Sequence, residues 1–266
     1  MAALAPMFRR VQVVSGRTLL AISIASLCWR PALAAPGDLK ELFSTDWSHG
    51  IDKRIQFQRP RAGSIELVDL GGEMGGKKLV QVTINKDDDY SGVANGTPRA
   101  EMSFNGFLHF REGGEYVIDW SMYIPGNYII DRGQPELVFQ IHQGPPAGYP
   151  PFALFISDDG EYEVHNRTQS KSDSVTALFG SVEHDRGHVV HWELHYCPDS
   201  TGKKAATELV KDGQVVFAIR GVPNAYNDDD GAYLKIGLYK ADWLKKPSDV
   251  TVRTMYYGGL SVRARE

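Results

Sequence analysis

Three short segments carry side chains whose types and spacing suit proton transfer beside a carboxylate. They are residues 99–101 (Arg-Ala-Glu), 140–142 (Gln-Ile-His) and 233–240 (Tyr-Leu-Lys-Ile-Gly-Leu-Tyr-Lys). Each alternates polar and apolar residues, and in a β-strand this places every second side chain on the same face. If the three strands are neighbours in one sheet, a guanidinium, an amide, an imidazole, an ammonium and two phenols share a face. Such a face suits an acidic sugar polymer and removal of the proton beside its carboxylate.

The reaction that this set suits is β-elimination in a polyuronide, which removes the proton at C5. It is helped by neutralisation of the carboxylate, by a base at C5 and by an acid at the leaving oxygen. Arg99 can hold a carboxylate through two parallel hydrogen bonds, and the Gln140 amide can donate to the same group. Histidine has an ordinary pKa near ~6.5, so His142 suits the base, and the Tyr239 phenol can donate or accept a proton. This step requires no metal, and none of the strong zinc-binding spacings is present.

Each of these side chains also has an explanation that involves no chemistry. Arg99 and Glu101 could form an exposed ion pair that contributes ~0–1 kcal/mol. His142 could be an ordinary strand histidine, Lys235 could be solvated, and the two tyrosines could pack on a sheet face. The order and spacing of the three segments together favour the functional interpretation.

The first 34 residues predict a secretory signal peptide. Arg9 and Arg10 form a basic start, an apolar run covers residues 19–27, and residues 32–34 (Ala-Leu-Ala) form a small-x-small cleavage site. The apolar run is shorter than the ~20 residues that cross a bilayer, which argues against a membrane anchor. We therefore expect residues 35–266 to form the mature chain, secreted or periplasmic and not bound to a membrane.

The charge of the mature chain limits its partners. Residues 1–34 hold four arginines and no acidic residue, so their removal takes the net charge from −4 to −8. Nucleic acids and densely sulfated polymers bind preferentially to basic surfaces, so we expect neither as a general partner. Cys28 leaves with the signal peptide and Cys197 remains alone, so no intrachain disulfide is expected. We expect the mature chain to act as a monomer.

Strand-like runs dominate the mature sequence, and no long stretch has helical periodicity. The runs cover residues 64–70, 78–84, 101–110, 115–124, 136–142, 152–157, 162–166, 188–196, 208–210, 214–220, 232–239 and 248–257. Asp159-Gly160 and Asp212-Gly213 each join two alternating runs, which predicts a hairpin at each. Many short strands with regular turns indicate a single all-β domain, a jelly roll or sandwich of two antiparallel sheets, with a closed barrel as the main alternative.

The three segments resemble strands of the alginate-lyase-like and heparin-lyase-like polysaccharide lyases, which carry R-x-E, Q-x-H and Y-x-K-x-G-x-Y patterns. Residues 233–243 are most similar to the family that includes glucuronan lyase and heparin lyase I. The resemblance covers the chain from Pro98 to its end and, more loosely, from Phe43. The first pattern is usually longer, with a second arginine and acid, whereas Met-Ser-Phe follows here at residues 102–104. That departure favours the glucuronan- or heparin-type branch over true alginate lyases.

The resemblance implies a β-jelly roll with a substrate groove across its concave sheet. It implies that Gln140 and Arg99 neutralise the uronate carboxylate and that His142 is the base for one C5 configuration. It also implies that Tyr239 is the acid and, for the other configuration, the base. The resemblance favours an acidic polysaccharide of the glucuronan type as substrate, with alginate and heparosan- or heparin-like chains as alternatives.

Further residues are expected to bind the sugar chain. The resemblance places Tyr233 and Lys235 in the subsites of the groove, and Glu101 shares a face with Arg99. Trp243 follows the Tyr239 strand in a loop and is the best sequence candidate for an aromatic that stacks on a sugar.

An acidic stretch immediately before the Tyr233 strand suits a structural calcium ion. Asn227, Asp228 and Asp229 offer clustered carboxylate and amide oxygens, which calcium prefers, although the EF-hand pattern is absent. Some members of the resembled family hold a calcium near this position. A solvated turn explains the same stretch equally well.

Two other functions compete with the lyase hypothesis. A non-catalytic carbohydrate-binding jelly roll would use the same face for recognition alone. A glycoside hydrolase on a similar sandwich would need two carboxyl groups across the scissile bond, and the strand around Glu193 offers no repeated Glu-x-x-x-Glu pair. Some members of the resembled family place a catalytic histidine early in the chain, which makes His49 a rival to His142.

Overall fold

Two antiparallel β-sheets packed face to face make up most of the structure. The computed structural model describes residues 10–13, 39–71, 77–145, 148–169 and 174–265. Within these ranges nine strands form one sheet, called here the front sheet, and eight strands form the other, the back sheet. This arrangement confirms the predicted jelly-roll sandwich and replaces the closed barrel.

The front sheet has the strand order β1-β12-β11-β10-β9-β16-β6-β3, with β7 pairing to β16, and the back sheet has the order β15-β14-β13-β8-β17-β5-β4, with β2 pairing to β17. The front-sheet strands are β1 (Arg10–Val13), β3 (Gln56–Gln58), β6 (Arg99–Ser103), β7 (His109–Phe110), β9 (Glu136–His142), β10 (Phe152–Ile156), β11 (Tyr162–Asn166), β12 (Val175–Phe179) and β16 (Ala232–Tyr239). The back-sheet strands are β2 (Lys40–Thr45), β4 (Ile65–Asp69), β5 (Lys78–Asn85), β8 (Glu115–Tyr123), β13 (Val189–Cys197), β14 (Ala206–Lys211), β15 (Gln214–Arg220) and β17 (Val252–Arg265). Apart from two 3-10 turns, Ala62–Ser64 and Ala94–Gly96, the described helical structure is the single turn α1 (Val182–Asp185).

The core lies between the sheets and is rich in aromatic rings. Trp120 of β8 stacks on Phe139 of β9 with ring centroids 3.9 Å apart, and both are buried. Trp192 of β13 meets Tyr162 of β11 edge-on at 5.0 Å. These pairs join the two sheets, and they orient the strands: where Phe139 points inward, its neighbour Gln140 must point outward.

The three segments singled out in the sequence lie on adjacent strands. Strand β16 pairs with β6 on one side and with β9 on the other. Lys235 is the Cα partner of Ser103 and of Gln140, and Tyr233 is the partner of His142. The outward side of the front sheet, called here the front face, therefore collects the predicted polar residues.

Both predicted hairpins are present. Asp159-Gly160 joins β10 to β11, and Asp212-Gly213 joins β14 to β15. Asp212 and Gly213 both have positive φ, 49° and 78°, as a type I′ turn requires.

Other boundaries differ from the sequence prediction. The run at 101–110 is two strands, because the chain turns after Phe104: the backbone N–H groups of Phe107 and Leu108 both donate to its carbonyl oxygen. Strands β2, β3 and β12 were not predicted, and β17 extends to Arg265. The predicted signal peptide and its cleavage site lie outside the described residues, except for Arg10–Val13, which pair with β12 at the sheet edge. No helix in the described ranges is long and apolar enough to span a membrane.

Candidate active site

A fully buried carboxylate organises the centre of the front face. Glu101 is 0% exposed. Its carboxylate accepts a hydrogen bond from Gln140 Nε2 at 2.5 Å and forms an ion pair with Arg99 Nη1 at 3.2 Å. Lys235 Nζ lies 3.6 Å from the same carboxylate and donates to Gln58 Oε1 at 2.9 Å. Two cations surround one anion, so the cluster has a net positive charge directly beneath the surface.

The same carboxylate fixes the orientation of Gln140. An ionised carboxylate only accepts hydrogen bonds, so the amide nitrogen of Gln140, and not its oxygen, must face Glu101. One N–H bond of Gln140 is used in this contact and the second is left for another acceptor. The short charge-assisted bond holds that second donor in place.

The contacts of His142 leave one ring nitrogen able to accept a proton. Its Nδ1 lies 2.7 Å from the carbonyl oxygen of Gln143, and a carbonyl can only accept, so Nδ1 carries the proton. The lone pair of the neutral ring is then on Nε2. Burial lowers the pKa of His142, and the positive charge of Lys235 lowers it further, which keeps the ring neutral near pH 7.

Two tyrosines flank this centre at opposite ends of β16. The ring of Tyr233 lies 5.2 Å from that of His142, and burial raises the pKa of Tyr233. The Arg99 guanidinium lies 3.9 Å from the ring centroid of Tyr239, close enough for a cation–π contact. Tyr233, His142 and Tyr239 are half-buried, so their side chains can contact a sugar directly.

The unbroken pairing of β16 with β6 places Tyr239 opposite Arg99, whereas the pairing of β16 with β9 contains a bulge. The pairing of β16 with β9 shifts between Ile236 and Tyr239, and Gly237 lies inside the shift with φ +146°. A Cβ atom at Gly237 would clash with the carbonyl oxygen of Ala100 on β6. Only glycine allows the two strands to approach this closely, which explains the glycine of the Y-x-K-x-G-x-Y pattern.

A buried ionic network anchors the strand end just beyond Tyr239. Lys240 is 0% exposed, and its Nζ lies 2.9 Å from Asp131 Oδ2 and 3.6 Å from Glu136 Oε2. Glu136 also forms an ion pair with Arg253 Nε of the back sheet at 2.6 Å. The network links the end of β16 to the start of β9 and to β17. These ion pairs hold in place the strand end that carries Tyr239.

Three substrate-binding predictions need correction or adjustment. Trp243 is 0% exposed, and its indole nitrogen donates to Val250 O at 3.2 Å and to Ser248 Oγ at 3.0 Å, so it belongs to the core and cannot stack on a sugar. Glu101 has no accessible surface, so its carboxylate contacts Gln140 and does not line the open face. Lys235 is 2% exposed, so its charge lies just below the surface of the face.

The predicted calcium ligands form hydrogen bonds with neighbouring groups of the chain. Asp229 accepts hydrogen bonds from the backbone N–H of Gly144, at 3.0 and 3.1 Å, and of Gly231, at 2.9 Å. Asn227 donates to Asp228 at 2.5 Å. In the described ranges no group of three or more His, Cys, Asp or Glu side chains could hold a metal ion. These contacts join this loop to the one after β9, and calcium binding stays a prediction.

Sequence reasoning missed two polar residues of the front face. Gln58 contacts Lys235, but its strand of three residues is too short for alternation to predict. His109 is the Cα partner of Tyr233 on its other side, and its Nδ1 is buried with no partner in the described part of the chain. His49, the rival to His142, lies instead with back-sheet residues such as Asp119 and His191.

Comparison with known proteins decides the family. The family profile for polysaccharide lyase matches residues 36–261. The chain belongs to the polysaccharide lyase family. The lyase is therefore an enzyme. The competing hypothesis of a non-catalytic carbohydrate-binding module does not describe the chain as a whole. No curated protein matches it by sequence.

Solved structures support the fold of the lyase. An endo-β-1,4-glucuronan lyase from the fungus Trichoderma reesei superposes with a TM-score of 0.64 at 15% identity, covering 84% of this chain and 95% of that one. A family 7 alginate lyase in complex with its product has a TM-score of 0.55 at 13% identity, covering 78% and 92%. An alginate lyase in complex with an alginate trisaccharide has a TM-score of 0.52 at 11% identity, covering 86% and 100%. At these identities the likeness confirms the alginate-lyase-like jelly roll.

Proposed function

We propose that the lyase is a secreted enzyme that cleaves a β-1,4-linked polymer of glucuronate by β-elimination. The observation that carries this proposal is His142, whose Nδ1–H is held by a carbonyl and whose free Nε2 lies beside a positively charged cluster. A base next to a site that attracts a carboxylate is what abstraction of the C5 proton needs.

The residues divide the reaction among them. The uronate carboxylate lies over the Arg99–Lys235–Glu101 cluster and receives the second N–H bond of Gln140. His142 Nε2 takes the C5 proton, and the electron pair of that C–H bond forms the C4–C5 double bond while the C4–O bond breaks. The Tyr239 phenol gives its proton to the leaving oxygen, and solvent restores the two side chains. Tyr233, beside His142, lines the sugar-binding surface.

Glucuronan is favoured as substrate by the charge of the chain and by a structural relative. The mature net charge of −8 disfavours densely sulfated heparin, and one net positive cluster suits one carboxylate at the cleaved residue. The fungal relative is a β-1,4-glucuronan lyase. Alginate and heparosan are the alternatives, and the experiment below ranks them.

Secretion, a monomeric state and calcium binding each have their own test. Secretion is supported by the basic, apolar and small-residue pattern of residues 1–34, and the amino-terminal sequence of exported protein tests it. A monomer is expected, and its mass in solution tests that. Structural calcium at Asn227, Asp228 and Asp229 would raise the melting temperature above that of chelated protein, and equal melting temperatures would refute it.

The proposal is tested with residues 35–266, purified and incubated separately with glucuronan, alginate, heparosan and heparin. A rise in ultraviolet absorbance from the double bond conjugated to the carboxylate is expected with glucuronan at the highest kcat/KM. A higher value with another polymer would replace the substrate. Binding of a polymer without any rise would mean that the front face recognises sugar but does not cleave it.

A further inference from the structure

Arg167 lies on the front face, in one row with His142. Its backbone N–H donates to the carbonyl oxygen of Pro151 at 2.8 Å, which extends the pairing of β11 with β10 by one residue. The preceding Asn166 points the other way, because its side chain accepts a hydrogen bond from Thr207 of the back sheet at 2.7 Å. The register thus separates Arg167 from His142 by two strand spacings, about 10 Å.

The Arg167 guanidinium has no hydrogen-bond acceptor among the residues that the structure describes. It is half-buried, and burial lowers its pKa. In the described ranges it has no ion pair and no side-chain hydrogen bond. Glu163 attracts it only over a longer distance, and the Glu163 carboxylate instead contacts His165 Nε2 at 2.6 Å. A partly desolvated cation with no adjacent anion is stabilised by any anion that reaches it.

An exposed aromatic ring adjoins this cation. The guanidinium carbon of Arg167 lies 5.4 Å from the ring centroid of Tyr149, which is 53% exposed. The backbone oxygen of Tyr149 accepts a hydrogen bond from the Tyr226 hydroxyl at 2.9 Å, which fixes this part of the loop after β9. A held ring beside a cation can contact the apolar face of a sugar and its carboxylate together.

We propose that Arg167 and Tyr149 form a second subsite, which binds the carboxylate of a uronate two residues along from the one that is cleaved. The inference rests on the proposed function. In an extended β-1,4-linked chain successive rings turn over, so every second carboxylate faces the same side. Two pyranose rings span close to the two strand spacings between His142 and Arg167.

The test compares Arg167→Gln and Arg167→Lys with the wild type on a glucuronate hexamer. Arg167→Gln is expected to raise KM roughly tenfold with kcat unchanged, the size of one charge-assisted contact. Arg167→Lys keeps the charge but not the planar fork, so KM should fall between the two. Arg220→Gln is the matched control, since it removes the same charge from an exposed site on the back sheet and should leave KM unchanged.

Binding is measured in parallel by calorimetry in a Tyr239→Phe background, so that it does not depend on turnover. Arg167→Gln should weaken the hexamer roughly tenfold and leave a dimer, too short to reach Arg167, unaffected. An unchanged hexamer affinity and KM, or an equal effect of Arg220→Gln, would overturn the subsite. If Arg167→Gln weakens binding of the hexamer but the wild type does not cleave it, the subsite is supported and the elimination proposal is overturned.

Discussion

Removal of the charge from Glu101 tests how the front face is built. Glu101→Gln keeps the size of the side chain but leaves Arg99 and Lys235, which are 4% and 2% exposed, without their shared carboxylate. Breaking a buried ion pair by removing one partner costs about 3–5 kcal/mol. We expect the free energy of unfolding, from urea titration followed by tryptophan fluorescence, to fall by that amount.

The kinetic effect of Glu101→Gln separates two roles for the residue. Gln140 loses the acceptor that orients it, so kcat should fall about 10²-fold, as small misplacements of substrate-positioning groups do. KM should not rise, because the site becomes more positive towards an anionic polymer. The control Glu41→Gln, exposed on β2, should change the free energy of unfolding by less than about 0.5 kcal/mol.

Two results would refute this reasoning. An unchanged free energy of unfolding would mean that Arg99 and Lys235 do not depend on Glu101 for compensation. A higher KM with kcat unchanged would mean that Glu101 binds substrate directly, as the sequence alone suggested, and that its burial is relieved when substrate binds.

Four further predictions follow from the same geometry. Tyr239→Phe should lower kcat by about 10²–10⁴-fold, the contribution of a general acid, and leave the urea midpoint unchanged, because its ring remains over the neighbouring guanidinium. Since burial lowers the pKa of His142, the acid limb of the kcat/KM profile should lie below ~6.5. As the pH falls below ~6.5, the unfolded chain binds a proton at His142 before the folded chain does, so the free energy of unfolding should decrease. This decrease should be larger in the wild type than in His142→Gln. Gly237→Ala should destabilise the fold by at least about 1–3 kcal/mol and lower kcat, measured by urea titration and initial rates, because of its clash with β6. Lys240→Met should cost about 3–5 kcal/mol in urea titration, and adding Asp131→Asn should recover part of it because the unpaired buried charge is gone; equal losses in both variants would contradict the ion-pair explanation.

Local patterns in the sequence were sufficient for much of the fold. Period-two alternation put Gln140 and His142 on one face, and the turn chemistry of Asp212-Gly213 fixed a hairpin. The short strand β3 was missed because three residues cannot establish a period. That β6 and β9 both flank β16 is a long-range pairing, which spacing within single strands does not specify.

The candidate site was harder to predict because burial depends on tertiary packing. Alternation placed Glu101 on the correct face but not at 0% exposure beneath three polar neighbours. Trp243 looked like a loop aromatic, yet the loop folds back and its indole bonds to Val250. The tautomer of His142 depends on the carbonyl of Gln143, a backbone group that side-chain patterns do not reveal.

The mass of the products formed from glucuronan tests the central claim most directly. Elimination by residues 35–266 adds no water across the cleaved bond, so every new non-reducing end should carry the C4–C5 double bond and each such oligomer should be one water lighter than its hydrolytic counterpart. That result would support β-elimination across C4 and C5, the reaction proposed for His142 and Tyr239. Products with the mass of ordinary saturated oligomers would mean that the chain hydrolyses its substrate, and would contradict the account.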